Sequence, residues 1–162
     1  MVFRKATVED YPAILKMNEE LVHFLAPMDE ALLTTLHGQS ALTAVIEEDE
    51  RVAAFMILLR EGQDYDSENY RWFSARYPSF LYVDRIVVDP AFHRRGYGKF
   101  LYDELFAQAK RDGVPFVTAE VNIEPPNQAS LDFHKQAGFG EVGTQWLDNG
   151  KKQVSLLLAE IK

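Results

Sequence analysis

The stretch Val87–Phe106, "VVDPAFHRRGYGKFLYDELF", decides how the chain reads. A run of β-branched apolar residues stops at Asp89-Pro90; a His, two Args and two glycines follow, and an amphipathic pattern then begins. A strand that enters a helix through such a turn brings unpaired backbone N–H groups and the positive end of a helix dipole to one spot. Glycine lets the backbone approach a bound anion closely. Gly96 and Gly98, beside the basic cluster His93-Arg94-Arg95, therefore describe an anion cradle. Two familiar cradles do not fit. The dinucleotide fingerprint requires a third glycine where Leu101 stands. A P-loop requires Ser or Thr after its Lys, and Phe100 follows Lys99.

The elements on either side follow from pattern. Phe80 to Val88 reads as the strand that enters the turn, and Gly98 to Asp112 as the helix that leaves it, stopped by Gly113. Pro115 to Asn122 is a strand joined to the first through that helix, which predicts a parallel β-α-β unit. Upstream, Val2 to Ala6 forms a strand. Thr7 and Asp10 approximate a capping box for a helix with Ile14, Leu15, Met17, Leu21 and Leu25 at helical spacing. A second helix runs from Asp29 to Gly38. Ala41 to Ile46 and Val52 to Leu59 flank "EEDER" as a hairpin. Gly62 to Pro78 reads as a long loop whose many aromatics argue against disorder. Asn127 caps a short helix ending at Gly138. Phe139 to Trp146 and Gln153 to Ile161 form a hairpin across Asp148-Asn149-Gly150. The expectation is one α/β (α+β) domain over residues 1–162, with a mixed, mostly antiparallel sheet of about seven strands and about four helices.

Composition narrows the function. The chain holds 162 residues and no cysteine, which removes disulfides, a thiolate nucleophile and Cys-based zinc sites, and fits a reducing, cytoplasmic setting. No two His fall at metal-ligand spacing, so no metal site is expected. The opening residues do not resemble a signal peptide, so none is expected, and the longest apolar run, Val52 to Leu59, is too short for a membrane span. The formal net charge of −8 argues against nucleic acid as the main partner. Against that background the local basic cluster suits a small anion.

A second stretch, "EVNIEPPNQASLDFHKQAGF", Glu120 to Phe139, sharpens the reading. It holds a strand, a Pro-Pro break, Asn127, Ser130, Phe133-His134 and Gly138-Phe139. Together the two stretches closely resemble the GNAT superfamily of N-acetyltransferases, and the "FRKATVEDYPAIL" opening and the Asp-Asn-Gly hairpin look like the family too. The resemblance implies acetyl-CoA as co-substrate. Ile86, Val87 and Val88 would pair their backbone with the pantetheine arm. His93, Arg94, Arg95, Gly96, Tyr97, Gly98 and Lys99 would wrap the pyrophosphate. Asn127, Ser130 and Phe133 would face the pantetheine and the thioester. The acceptor implied is a primary amine, on a small molecule or an exposed peptide, attacking directly in a ternary complex. The reading leaves room for a homodimer.

Two positions depart from the family pattern. His93 stands where Arg or Gln is usual, and Arg94 and Arg95 would compensate. His134 stands where the family places a Tyr that protonates the departing thiolate; as the commonest acid–base side chain, His is a candidate for the same step. That departure keeps a second reading open, a non-catalytic acetyl-CoA-binding sensor or interaction module.

Acetyl transfer also needs an unprotonated amine. With an amine pKa near 10.4, supplying it at pH 7 costs roughly 4.6 kcal/mol, so a base is sought. Asp84 lies inside the apolar strand "FLYVDRIVV" on the face of Tyr82 and Ile86, and Arg85 points to the other face by alternation. Glu120 shares a polar row with Thr118 and Asn122. Either carboxylate is a candidate base, and either is equally readable as a structural hydrogen-bond or ion-pair partner. His23 and His37 are placed on helices as packing or surface residues.

Overall fold

The computed structural model describes Met1–Lys162 in full. Seven strands join one mixed sheet in the order β1-β2-β3-β4-β5-β7-β6. They are β1 (Val2–Lys5), β2 (Leu42–Glu48), β3 (Arg51–Arg60), β4 (Leu81–Val88), β5 (Phe116–Glu124), β6 (Gly140–Leu147) and β7 (Lys152–Glu160). Five helices accompany them: α1 (Tyr11–Glu20), α2 (Glu30–Gln39), α3 (Glu68–Ser74), α4 (Tyr97–Arg111) and α5 (Gln128–Gln136). The mixed, mostly antiparallel α/β architecture is the expected one. The parallel pair is β4 and β5, with Leu81 opposite Val117 and Tyr82 opposite Thr118, and α4 makes the connection.

The chain divides into two compact units, Met1–Leu59 with Asp84–Glu104, and Arg60–Val83 with Leu105–Lys162. In the first, β1 and β2 pair antiparallel with Phe3 opposite Ile46. The β2–β3 hairpin turns on Asp49 and Glu50, both at positive φ (52° and 61°) without a glycine. Those angles suit the tight turn whose twist matches the flanking strands. The capping box forms as read, with the Thr7 N–H donating to Asp10 Oδ2 at 2.8 Å. Asp10 is also gripped by Arg4 at 2.8 and 2.9 Å, and Arg4 reaches Glu47 on β2 as well. The Arg4 guanidinium holds the Asp10 carboxyl below the usual carboxylate range. Ile14 and Met17 of α1 and Leu33 and Leu36 of α2 are buried, which anchors both helices.

Three boundaries differ from the expectation. α1 ends at Glu20, so Leu21 and Leu25 belong to a turn: Leu21 sits at φ −115°, ψ 22°, outside helical geometry. Leu25 continues the apolar spacing but not the helix, and Pro27 follows close behind. α2 starts as read, with Asp29 capping the Leu32 N–H at 2.8 Å, but it passes through Gly38. The aromatic stretch 62–78 is no simple loop, because it contains α3.

In the second unit, α3 is held by aromatic packing. Ser67 caps the Tyr70 N–H, and Tyr70 and Phe73, one helical turn apart, are buried against Phe80 and Tyr82 with ring centroids 5.5 to 6.3 Å apart. Such tilted and edge-on pairs add to the hydrophobic gain of burial. The outer side of α3 docks on β6. A β-carbon at Gly143 would lie 2.4 Å from the Trp72 ring, and Gln145 donates to Asn69 at 3.1 Å. Arg76 lies over the Trp72 ring, its guanidinium 3.9 Å from the ring centroid. β7 lies between β5 and β6, with Glu120 opposite Leu156 and Gln145 opposite Val154.

Candidate active site

The first unit carries the basic turn. β4 ends with the Asp89 N–H bonded to the Ala53 carbonyl at 2.9 Å, so the chain leaves the sheet at a fixed point. Asp89 then caps a short turn by accepting from the Ala91 N–H at 2.8 Å. Arg94 (φ 65°) and Gly96 (φ 78°) both adopt left-handed backbone. For Arg94 this is a strained conformation, and such strain persists only where the surroundings enforce it. Positive φ at neighbouring positions curls backbone N–H groups into a concavity suited to anions. A β-carbon at Gly96 or Gly98 would meet nothing within 4 Å, so open space lies in front of both. The 15-residue α4 begins directly after Gly96, its first N–H groups adding to the positive end of the dipole. The turn fits a phosphate group.

The side chains of the cluster are less free than the sequence implies. His93 donates from Nε2 to the Val88 carbonyl at 3.0 Å, tying the turn to the end of β4. Arg95 is ion-paired with Glu48 on β2 and stacks 5.0 Å from the Phe92 centroid, which Arg51 also covers at 5.0 Å. Tyr97, buried, has its hydroxyl pKa pushed up by desolvation and by a hydrogen bond to Glu48. Lys99 pairs with Asp103 one helical turn on, at 2.8 Å. Arg94 is exposed. Of the two arginines expected to offset the missing family residue at His93, one is thus already ion-paired within the protein.

Ile86 and Val88 are half-buried and Val87 buried, along the last residues of β4. Asp84 and Arg85 correct the alternation argument. Their side chains, each 3% exposed, form an ion pair with Nε to Oδ2 at 2.7 Å. Arg85 therefore is the mate of Asp84, although adjacent strand residues nominally face opposite sides. Its length lets the guanidinium turn back, and burial makes the pairing necessary. Arg85 also donates to Asn18 Oδ1 at 2.7 Å and to the Ala26 carbonyl at 3.1 Å, while Asn18 Nδ2 donates to the same carbonyl at 3.1 Å. This clamp ties the segment after α1 to β4. The sequence reading did not single out Asn18; its signal was an amide on the apolar stripe between Met17 and Leu21.

The second unit carries the other candidates. Tyr82, 1% exposed, donates its hydroxyl to Glu120 Oε1 at 2.8 Å. Tyr82 too was missed as a site residue, and its position two residues before Asp84 was the available clue. Thr118 and Asn122 flank Glu120 on its row, both buried, and Asn122 Nδ2 finds no hydrogen-bond acceptor in the protein. Asn127 caps α5, its side chain accepting from the Ser130 N–H at 3.4 Å. Phe133 is half-buried, its ring centroid 5.9 Å from that of His134.

His134 is 6% exposed and packs edge-on to Phe139 at 5.1 Å. Its Nδ1 lies 2.7 Å from the Ser130 carbonyl and 3.4 Å from the Ser130 hydroxyl. A carbonyl oxygen only accepts, so Nδ1 carries the hydrogen and donates it. In the neutral ring Nε2 is then a lone pair. Burial lowers the imidazole pKa below its ordinary value, with the Ser130 carbonyl partly opposing that shift. In that tautomer the neutral ring has no Nε2–H to donate to a thiolate.

His23 lies in the turn after α1 rather than on a helix, while His37 is on α2, its Nδ1 2.7 Å from the Tyr11 hydroxyl. No group of three or more His, Cys, Asp or Glu is arranged to hold a metal ion. No helix is long and apolar enough to cross a membrane.

The strand, turn and helix over residues 81–111, the strand β5 and the Asn127-capped helix α5 follow one another along the chain. Residues 6–139 match the model of the acetyltransferase (GNAT) family. The chain belongs to that family, and it is an acyl-CoA-dependent N-acetyltransferase. It is 27% identical over 135 residues to the ribosomal protein bS18-alanine N-acetyltransferase of Salmonella typhimurium, covering 82% of this chain and 76% of that one. The crystal structure of ribosomal-protein-alanine N-acetyltransferase from Brucella melitensis superposes with a TM-score of 0.71 at 22% identity, over 99% of each chain. That of N-acetylglutamate synthase from Neisseria gonorrhoeae, complexed with coenzyme A and N-acetyl-glutamate, gives 0.72 at 16% identity, over 99% of this chain and 35% of that one. At these identities the two structural matches are likenesses of fold.

Proposed function

We propose that residues 1–162 act as one cytoplasmic domain that moves an acetyl group from acetyl-CoA to a primary amine by direct attack in a ternary complex. The observation that carries the reading is the turn from His93 to Lys99, where left-handed backbone at Arg94 and Gly96 opens into the start of α4. This turn takes the coenzyme pyrophosphate, largely through backbone N–H groups. The backbone of Ile86 to Val88 pairs with the pantetheine amides, and Asn127, Ser130 and Phe133 border the arm. An exposed peptide amine is favoured as acceptor, because the curated relative is named for acetylating an alanine of a ribosomal protein.

Glu120 is the better base of the two carboxylates. Protonating Asp84 would leave Arg85 as a buried cation without its ion-pair partner, a costly outcome. Glu120 instead accepts a hydrogen bond from the neutral Tyr82 hydroxyl, a partner that protonation does not turn into a buried unpaired charge. The buried Asn122 amide on the same row offers an unused donor for a substrate carbonyl or for the water that carries the proton.

Two measurements test the proposal. Calorimetry is expected to show acetyl-CoA binding that is abolished by Gly96→Glu, because a side chain there both strains the left-handed backbone and fills the open space; undiminished binding by the variant overturns the assigned turn. In a thiol-release assay across peptide and small amines, Glu120→Gln is expected to lower kcat/KM by about two to four decades with acetyl-CoA affinity retained. A wild-type rate in that variant removes Glu120 from the mechanism.

A further inference from the structure

On the β5 row of Thr118, Glu120 and Asn122, the last residue is anchored by its main chain and unused by its side chain. We propose that Asn122 determines acceptor specificity, its side-chain amide donating to the carbonyl oxygen borne by the same carbon as the attacking amine. The proposal rests on the acetyl-transfer reading above and deepens it, because it separates a main-chain α-amine from an amine at the end of a side chain.

The main chain of Asn122 is held twice. It lies opposite Val154 on β7, and its carbonyl accepts from the Asn127 N–H at 3.0 Å. The residue is 8% exposed, yet Nδ2 has no acceptor in the protein. A buried donor without a partner costs stability, so its presence calls for a ligand or a function. The other amide on this face does not supply the partner: Gln145, across β7 on the far side of Val154, donates its Nε2 to Asn69 Oδ1 on α3 at 3.1 Å. Thr118, two residues before Glu120, also has an unpartnered hydroxyl, but it is sealed at 0% exposure, whereas Asn122 keeps an edge at the surface. A carboxamide turns easily about its last torsion, and no bond to the protein holds this one, so its NH2 is able to meet an incoming oxygen.

The spacing selects the oxygen. Residues two apart on a strand share a face and stand about 7 Å from each other, so Asn122 is one such step from the proposed base, Glu120. An α-amine and the carbonyl oxygen on its own carbon are about 3 Å apart. With a hydrogen bond of about 2.9 Å at each end, that pair spans the step, nitrogen toward Glu120 and oxygen toward Asn122. An extended lysine side chain puts four methylenes between its amine and the α-carbon, and its carbonyl then falls well beyond the step. Charge selects further. The donor is neutral, and Glu120 with the exposed Glu124 makes this end of β5 acidic. A peptide carbonyl suits that field; the carboxylate of a free amino acid is repelled by it.

Three acceptors test the assignment: a pentapeptide with a free N-terminal alanine, the same peptide with an E-alkene in place of its first peptide bond, and an N-terminally blocked pentapeptide with one lysine. Wild-type kcat/KM is expected to favour the first over its alkene analogue by about tenfold, with the lysine peptide below it. Asn122→Leu, similar in shape but without a donor, is expected to erase that preference by lowering the first value alone, with acetyl-CoA affinity unchanged. Asn122→Ala, which adds no bulk, is expected to do the same. Equal losses on peptide and analogue assign the amide to the catalytic water or to the fold and overturn the proposal, as does a wild-type preference for the lysine peptide. A second readout needs no turnover. In the wild-type coenzyme A complex, the Asn122 side-chain NH2 resonance in a proton–nitrogen-15 spectrum is expected to move downfield with the alanine peptide and to stay in place with the analogue. Acetyl transfer without that movement overturns the role of Asn122 alone. Movement without transfer to any of the three acceptors keeps Asn122 as the carbonyl donor and overturns the acetyl-transfer reading, and the absence of both overturns the two together.

Discussion

Arg85 is the residue whose role is furthest from its appearance in the sequence. On paper it is a cation on the wrong face of a strand. In the fold it is buried at 4% exposure and satisfies a carboxylate, an amide and a main-chain carbonyl. Buried pairs contribute little compared with apolar replacements, but breaking one leaves a charge without compensation. Arg85→Met is therefore expected to destabilise the protein by about 3–5 kcal/mol, read as the shift in urea midpoint. Replacing Asp84 and Arg85 together by Asn and Met is expected to recover a large part of that loss, since neither charge then remains. A double variant as damaged as the single one would show that the clamp on Asn18 and Ala26, not the ion pair, dominates.

At the scale of elements, the strand–turn–helix at Val87–Phe106 was legible because it is local: β-branched residues, Asp-Pro, glycines and a helical stripe follow one another in the chain. The caps at Thr7, Asp29 and Asn127 were legible for the same reason. α3 was not. It has only seven residues, and its buried side is aromatic rather than aliphatic, so the segment read as a polar-aromatic loop. The available signals were Ser67 as a cap and the one-turn spacing of Tyr70 and Phe73. What fixes α3 is non-local: the packing of Tyr70 and Phe73 on Phe80 and Tyr82, together with the fit of Trp72 over Gly143. Gly143→Val is expected to displace Trp72 and cost about 1–3 kcal/mol as overpacking, with Trp fluorescence shifting to the red and hydrogen exchange rising across Glu68–Ser74. Unchanged exchange there would mean that α3 is held by Tyr70 and Phe73 alone.

At the scale of the whole molecule, family and chemistry were carried by two short stretches, while the pairing of site residues was carried by none. Asp84 and Glu120 could be named as carboxylates on strands, but their partners, Arg85 and Tyr82, depend on side-chain reach and burial that periodicity does not encode. The tautomer of His134 is likewise a consequence of α5 closing on the Ser130 carbonyl. Conversely, the net charge of −8 is fully legible and yet says nothing about where the anion goes.

The pairing of Arg95 with Glu48 has a consequence for how the protein responds to its medium. A ligand held by mobile cations releases counterions and weakens steeply as electrolyte is added. Here Arg95 and Lys99 are each matched by a carboxylate, and the turn offers peptide N–H dipoles whose strength ions in solution hardly alter. Added electrolyte also mutes the repulsion between a polyanionic coenzyme and an acidic protein, which acts in the opposite sense. Acetyl-CoA affinity is therefore expected to change by less than about fivefold between 50 and 500 mM sodium chloride. Glu48→Gln, by unmasking Arg95, is expected to tighten binding at low electrolyte and to make it fall off measurably as sodium chloride is raised.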